Sequence, residues 1–352
     1  MLRHAASVKA VSATRVLNSF AGTMDEKSSP DWLRKLPTRS EDVGYSPDEL
    51  RTCEACGKPN APNRAACLYC GAEFAGVSPR IEIRPVEDWE NGYNVILVGT
   101  AAADPDHAAR ILSPTLGVEA AALSSLLSSG KSLPLARVES EEIATAVANS
   151  LDELAITTRV VSDEVLAVGT PHVRLRGLAF HEDQLKLTLF NSDESASIDR
   201  GELALIVTGV IHESRTEAME KRKRGSTKTL SETHTSHDQP FIDIYSLSDP
   251  VGWRIPSSGF DFSCLGEDKS LLAGENLERL TAKLVEFAPA AKFVDDYLEV
   301  RPLLEHVWAS EHRREAFGFQ RSGFARKDLS SLKTSSNLTQ VNKYSRLLWQ
   351  IL

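Results

Sequence analysis

Apolar positions along this chain follow two periods, and the changes between them mark the expected elements. Asn94-Val-Ile-Leu-Val98 is a continuous apolar run of strand length. Asp104 is placed to cap a helix running to about Leu112, and after Ser113-Pro114 a second helix is expected from Thr115. Its apolar positions, Leu116, Val118, Ala122, Leu123, Leu126 and Leu127, recur at helical spacing, and Gly130 ends it. Leu133 to Val138 predicts a short strand, Ser140 to Ser150 a helix with an acidic first turn, and Ile156 to Val161 a closing strand. The expected order over residues 90–162 is β-α-α-β-α-β.

From Val173 the period becomes two. Val173–Phe180 and Leu185–Phe190 alternate as half-buried strands around the turn at His181–Gln184. Ser195–Ile198, Leu203–Ile211, Phe241–Tyr245, Gly252–Ile255 and Phe260–Cys264 are further expected strands, and Leu271–Phe287 is an amphipathic helix. Residues 172–289 therefore predict a mostly antiparallel β domain closed by one helix. Within it, residues 214–239 have no apolar periodicity and are expected to form a solvated insertion. Lys221-Arg-Lys-Arg224 in that insertion could bind an anion, and His234 with His237 could bind a metal. The surrounding glutamates and the lack of a third firm ligand favour a solvated loop for both. Residues 290–352 predict a helix over Phe293–Trp308, interrupted or restarted at Pro302, a basic-aromatic stretch from Glu311 and an apolar end, Tyr344–Leu352, that docks.

The sharpest chemical pattern is Cys53-Glu-Ala-Cys56 followed, after ten residues, by Cys67-Leu-Tyr-Cys70. Two such pairs can place four thiolates around one tetrahedral zinc ion, with residues 51–76 as a zinc ribbon. Gly57 and Gly71 each follow a pair's second cysteine, where the turn favours positive φ. Four cysteine ligands leave no open position, so the expected zinc is structural. Asn60, in the pattern C-x-x-C-x-x-x-N, makes the segment resemble Ran-binding-protein zinc fingers. Arg51 stands where the RNA-reading members carry Trp, and Gly57-Lys58 where the ubiquitin-binding members carry Thr-Phe. The segment equally resembles the generic zinc ribbons of many bacterial proteins, and that likeness is preferred.

Two further resemblances follow from element order. Residues 90–162 are similar to the C-terminal domain of the bacterial ribosomal stalk protein and to the ClpS adaptor, through the first strand, Leu116–Ala120 and Val138–Ile143. The stalk domain's lysines are replaced here by His107 and Arg110, and the Asn-Asp pair of ClpS by Gly99-Thr100, so the likeness implies the fold alone. Residues 172–289 resemble the pleckstrin-homology-like fold of adaptors.

Composition narrows the function. The chain has 352 residues, room for two or three domains, and a net charge of -9, which argues against a general nucleic-acid coat while leaving a local basic face open. Four of five cysteines fall in the metal motif, which fits a reducing, cytoplasmic compartment. The longest apolar run, Leu203–Ile211, reaches about half of the roughly 20 residues a membrane helix needs. Residues 1–23 are basic and acid-free, as in a transit peptide, but Met24 is a natural start and residues 1–50 are expected to be a disordered lead-in. Phosphate-binding loops, nucleophile elbows and the H-E-x-x-H pattern are missing; Cys264 reads as a core residue and Asp295-Asp296 as a solvated helix start. The multi-domain α+β chain is thus expected to be a non-catalytic zinc-binding adaptor with protein partners. A ribosome- or RNA-associated factor is the alternative, and an enzyme with an undetected site is the third.

Overall fold

The computed structural model describes residues 50–61, 64, 66–72, 74, 83–87, 89–99, 102–190, 192, 194–223, 226–323 and 326–352. Nearly all of the expected lead-in, including residues 1–23, lies outside them. The chain divides into two compact units, Met1–Pro79 and Arg80–Leu352.

In the first unit, β1 (Arg51–Thr52) pairs antiparallel with β2 (Pro59–Asn60). Among the described residues of this unit, the buried apolar cluster is Cys53, Cys67 and Phe74. Four cysteine sulfurs converge in this unit.

The second unit begins with β3 (Tyr93–Leu97), α1 (Pro105–Leu116), α2 (Ala120–Ser128), β4 (Pro134–Val138), α3 (Glu141–Asp152) and β5 (Thr158–Ser162). Its three-stranded sheet runs β4-β3-β5, antiparallel throughout. The caps lie where the sequence puts them: Asp104 accepts from the His107 amide and Ser140 from the Ile143 amide. One boundary differs from expectation. α1 continues through Pro114 to Leu116 and ends at Gly117, whose φ of 67° lets its N–H reach the Ser113 carbonyl. Leu112 and Leu116 both enter the core, and their burial outweighs the backbone hydrogen bond that proline cannot donate.

The larger sheet has nine strands. β6 (Val173–Phe180), β7 (Gln184–Leu189) and β8 (Ser195–Asp199) form a meander. β9 (Leu203–Lys223) and β10 (Ser226–Ser246) form a hairpin of 21 residues per strand. β11 (Trp253–Pro256) joins β10 to β6, pairing parallel with the latter. A 3-10 segment at Phe262–Asp268 stands in place of the expected strand, because Asp261 caps it through the Ser263 amide and Gly266 breaks it at φ 59°. α4 (Ala273–Phe287) covers one face of this sheet with Leu277, Leu280 and Leu284.

The chain then gives β12 (Lys292–Val294), parallel to β9, and α5 (Tyr297–Leu304), which runs through Pro302, in place of a helix from Phe293 to Trp308 broken or restarted at that proline. The basic-aromatic stretch is another hairpin, β13 (Glu311–Gly323) with β14 (Arg326–Ser336), and α6 (Leu338–Gln350) ends the structure. β14 pairs with β9 between Glu213 and Lys221. The segment expected as a solvated insertion is therefore strand, part of a four-stranded ribbon ordered β13-β14-β9-β10. Its ladder bonds are made by backbone, and threonines at 216, 229, 233 and 235 favour extended structure without burial.

The proximal part of β9 is buried on both faces, as a continuous apolar run requires. Leu205, Val207 and Ile211 join the core of β3–β5, while Leu203 and Ile206 join that of α4. Tyr297, Trp308, Val341, Tyr344 and Leu347 complete the first of these cores, so the apolar chain end docks as the pattern predicts. Among the described residues, no helix is long and apolar enough to cross a membrane.

Candidate metal centre

The two cysteine pairs form two copies of one turn. The Cys53 N–H donates to the Lys58 carbonyl at 3.0 Å and the Cys67 N–H to the Ala72 carbonyl at 2.8 Å. The Gly57 N–H reaches the Cys53 carbonyl at 2.7 Å and the Gly71 N–H the Cys67 carbonyl at 3.0 Å. Gly57 and Gly71 sit at φ 69° and 72°, a conformation that a Cβ would strain. Each turn offers two sulfurs on one side, and the turns face each other.

All four Sγ atoms lie within 4.8 Å of one another. Cys53 and Cys70 are 3.7 Å apart and Cys56 and Cys67 3.5 Å. A tetrahedral zinc–thiolate site with bonds of about 2.3 Å has sulfur–sulfur edges of about 3.8 Å, so the cage has the size such an ion needs. A disulfide, at about 2.05 Å, is far shorter than either contact. The four cysteines could coordinate a metal ion, and the donor set suits zinc.

Asn60 organises the sulfurs from β2. It is 4% exposed. Its Oδ1 accepts from the Leu68 N–H at 2.8 Å, while its Nδ2 donates to the Lys58 carbonyl at 2.9 Å and to Cys67 Sγ at 3.4 Å. The Tyr69 N–H also donates to that sulfur. Burial opposes ionisation of Cys67, but these amides and the Cys56 thiol outweigh it and bring the group down to about 6. At Cys56 the Lys58 backbone hydrogen bond favours the thiolate; burial and the other three cysteines prevail and push it up to about 12. Sulfurs this close cannot all carry charge without a cation between them, so metal binding here releases protons. The sequence shows Asn60 as part of a pattern, but its clamp between Leu68 and Cys67 appears only in the fold. The second turn also exposes Leu68 and Tyr69, with Lys58 Nζ 4.5 Å from the Tyr69 ring centroid.

The other residues singled out from sequence have structural settings. His234 Nδ1 meets Thr216 Oγ1 at 3.0 Å across the ribbon. His237 stands three positions further on the same strand, an odd offset that puts the two on opposite faces, so they are not brought together around an ion. Cys264 lies in the 3-10 segment, and burial pushes its thiol up, away from nucleophile chemistry. Asp296 anchors α5, meeting Lys131 Nζ at 2.9 Å and accepting from the Tyr344 hydroxyl at 2.6 Å.

Two buried polar networks in the second unit have no counterpart in the sequence reading. Asp163 accepts from Gly92 N and Asn94 Nδ2, both at 2.9 Å, and pairs with Arg137 at 2.7 Å. Lys343 of α6 stands 3.5 Å away, and Trp308 Nε1 donates to Asn94 Oδ1 at 2.8 Å. The second network joins Asp243 to Arg254 by two 2.7 Å bonds and to the Ser345 hydroxyl at 2.8 Å. The Tyr245 hydroxyl connects Ser345 to His172 Nε2, 2.7 Å from each. Arg346 donates to the carbonyls of Leu166, Ala167 and Thr170.

No protein-family model, curated protein or solved structure matches the chain.

Proposed function

We propose that the chain is a zinc-binding adaptor of the cytoplasm, acting by contact with other macromolecules and not by catalysis. The observation that carries this reading is the closed cysteine cage. With four thiolates bound, zinc would have no position left for water or substrate, and its work would be to fix the two turns. What those turns hold outward is Leu68 and Tyr69, 63% and 54% exposed, which have the apolar and aromatic character of a protein-contact anchor. The likeness of β3–β5 to the stalk and ClpS folds, and of the sheet with α4 to adaptor domains, supports an interaction role by analogy only.

The test is affinity capture from the native host with three forms of the full chain: wild type, Leu68→Ala/Tyr69→Ala and Cys67→Ser/Cys70→Ser. Wild type should bind one zinc and hold a defined set of proteins; the first variant should keep the zinc and lose those proteins. Retention of the same partners by both variants would defeat this reading, and turnover of a small molecule by the purified chain would replace it with an enzyme. A second reading, a ribosome-associated factor, is favoured by the stalk-like order of β3–β5; salt-sensitive co-sedimentation with ribosomes would support it.

A further inference from the structure

We infer that the distal end of the four-stranded ribbon is a binding site for single-stranded nucleic acid. Two basic runs that lie about a hundred positions apart in the sequence meet there through strand pairing. Lys221 on β9 stands opposite Lys228 on β10 and Asp328 on β14. Arg222 is opposite Thr227 and Lys223 opposite Ser226. On the second hairpin Lys327 is opposite Arg321 and Arg326 opposite Gly323. Seven basic residues thus gather in the end of the ribbon with two acidic ones, Glu220 and Asp328, although the chain carries a net charge of -9. Four strands at about 4.8 Å spacing make a band about 14 Å wide, broad enough to follow a phosphate backbone.

The pairing itself points to an anion. Lys221–Lys228 and Arg321–Lys327 are like charges placed directly across a ladder, an arrangement that costs stability in a hairpin left to itself. A polyanion laid over the end converts that cost into binding. The same strands carry hydroxyl residues suited to phosphate oxygens, Ser226, Thr227, Thr229 and Ser330, and β13 interleaves Phe317 and Phe319 with Arg314 and Arg321. Arginine and aromatic residues in alternation fit stacked, unpaired bases. An acidic bilayer would use the charge and the hydroxyls alike, but it offers no unpaired bases to the arginine–aromatic alternation of β13. The inference is independent of the metal centre.

The experiment is fluorescence anisotropy of the full chain with labelled single-stranded RNA and DNA of about 16 nucleotides. Sodium chloride is varied between about 50 and about 200 mM. Two variants divide the site: Lys221→Gln/Arg222→Gln/Lys223→Gln and Arg326→Gln/Lys327→Gln. Each should weaken binding about tenfold or more at the lower salt. The triple variant should also flatten the dependence of log affinity on log salt by about 1.4, at about 0.7 for each phosphate neutralised by Lys221 and Lys223, which share a face of β9. Unchanged circular dichroism and melting show that the ribbon has kept its fold. The Cys67→Ser/Cys70→Ser form should bind nucleic acid as wild type does, so failure of the adaptor reading leaves this result standing. Wild-type-like affinity in both ribbon variants would overturn the inference. So would binding to phosphatidylserine vesicles with none to the oligonucleotides.

Discussion

The cysteine cage and the region around α6 solve the same problem in opposite ways. Each ties separate segments of chain together through sulfur or polar atoms. Among its described residues the cage buries Cys53, Cys67 and Phe74 as its apolar cluster, so its cohesion would come from a bound cation, for which the four sulfurs are placed. Around α6 the charges are internal: Asp163 with Arg137, and Asp243 with Arg254, are matched inside a core that already holds Leu205, Phe241, Tyr297 and Leu347. In a small module one strong external ligand replaces a core. In a large one, buried ion pairs are tolerated because partners and hydrogen bonds offset the loss of water.

Removing the metal should separate the two regions most sharply. Chelation, or Cys67→Ser/Cys70→Ser, takes away a contribution of about 10–16 kcal/mol in apparent terms. Amide resonances of residues 50–72 should collapse toward random-coil positions, while the thermal unfolding of residues 80–352 stays where it was. A common loss of both would break the comparison.

The next effect lies inside the core. Asp163→Ala withdraws the carboxylate from Arg137 and Asn94, and Asp243→Ala does the same to Arg254 and Ser345. Breaking one side of such a pair costs about 3–5 kcal/mol. The exposed pairing of Lys131 with Glu299, tested by Glu299→Ala, should cost less than about 1 kcal/mol. Urea unfolding of the three variants would measure the contrast, and equal losses would show that burial does not set the difference.

What the sequence revealed depended on whether the signal was local. The cysteine spacing, the caps at Asp104 and Ser140 and the two apolar periods are local, and the corresponding elements lie close to the expected positions. The ribbon was not legible because none of the described residues of Arg215–Met219 and Thr229–Gln239 is buried; its strands exist through pairing with β14, some hundred residues away, and the two basic runs read as unrelated. α6 failed for a different reason. Gln340 to Leu348 are all buried, polar residues included, so the helix lacks the solvent-facing stripe that periodicity detects. Asn60, Asp163 and Asp243 are single polar residues whose importance lies wholly in partners brought by the fold.

Smaller than the loss of a buried pair is a pH dependence from His172. Its ring sits among Asp243 and Tyr245 of β10, Arg254 of β11 and Arg346 of α6. Burial is the chief reason that its pKa falls to about 3; Asp243 opposes the fall, and the two arginines reinforce it. The folded protein therefore keeps His172 neutral where the unfolded chain, with a pKa of about 6.5, takes up a proton. Stability contributed by the neutral ring is complete above about 6.5 and declines as pH falls toward 3, because the unfolded state binds more protons across that window. At pH 5 the loss should be about 2 kcal/mol, from about 1.4 kcal/mol per unit of pH below the unfolded value. The carboxylates contribute little there, since Asp163 and Asp243 are held below their usual range: burial opposes the shift, but Lys343, Asn94 and Arg137 outweigh it at the first, and Arg254 and the Ser345 hydroxyl at the second. Urea midpoints of wild type and His172→Gln between pH 7 and pH 5 isolate the effect. Wild type should lose stability across this range and the variant should lose less. Parallel curves would mean that His172 is protonated in the fold as readily as outside it, and the α6 network would then owe its cohesion to a cation after all.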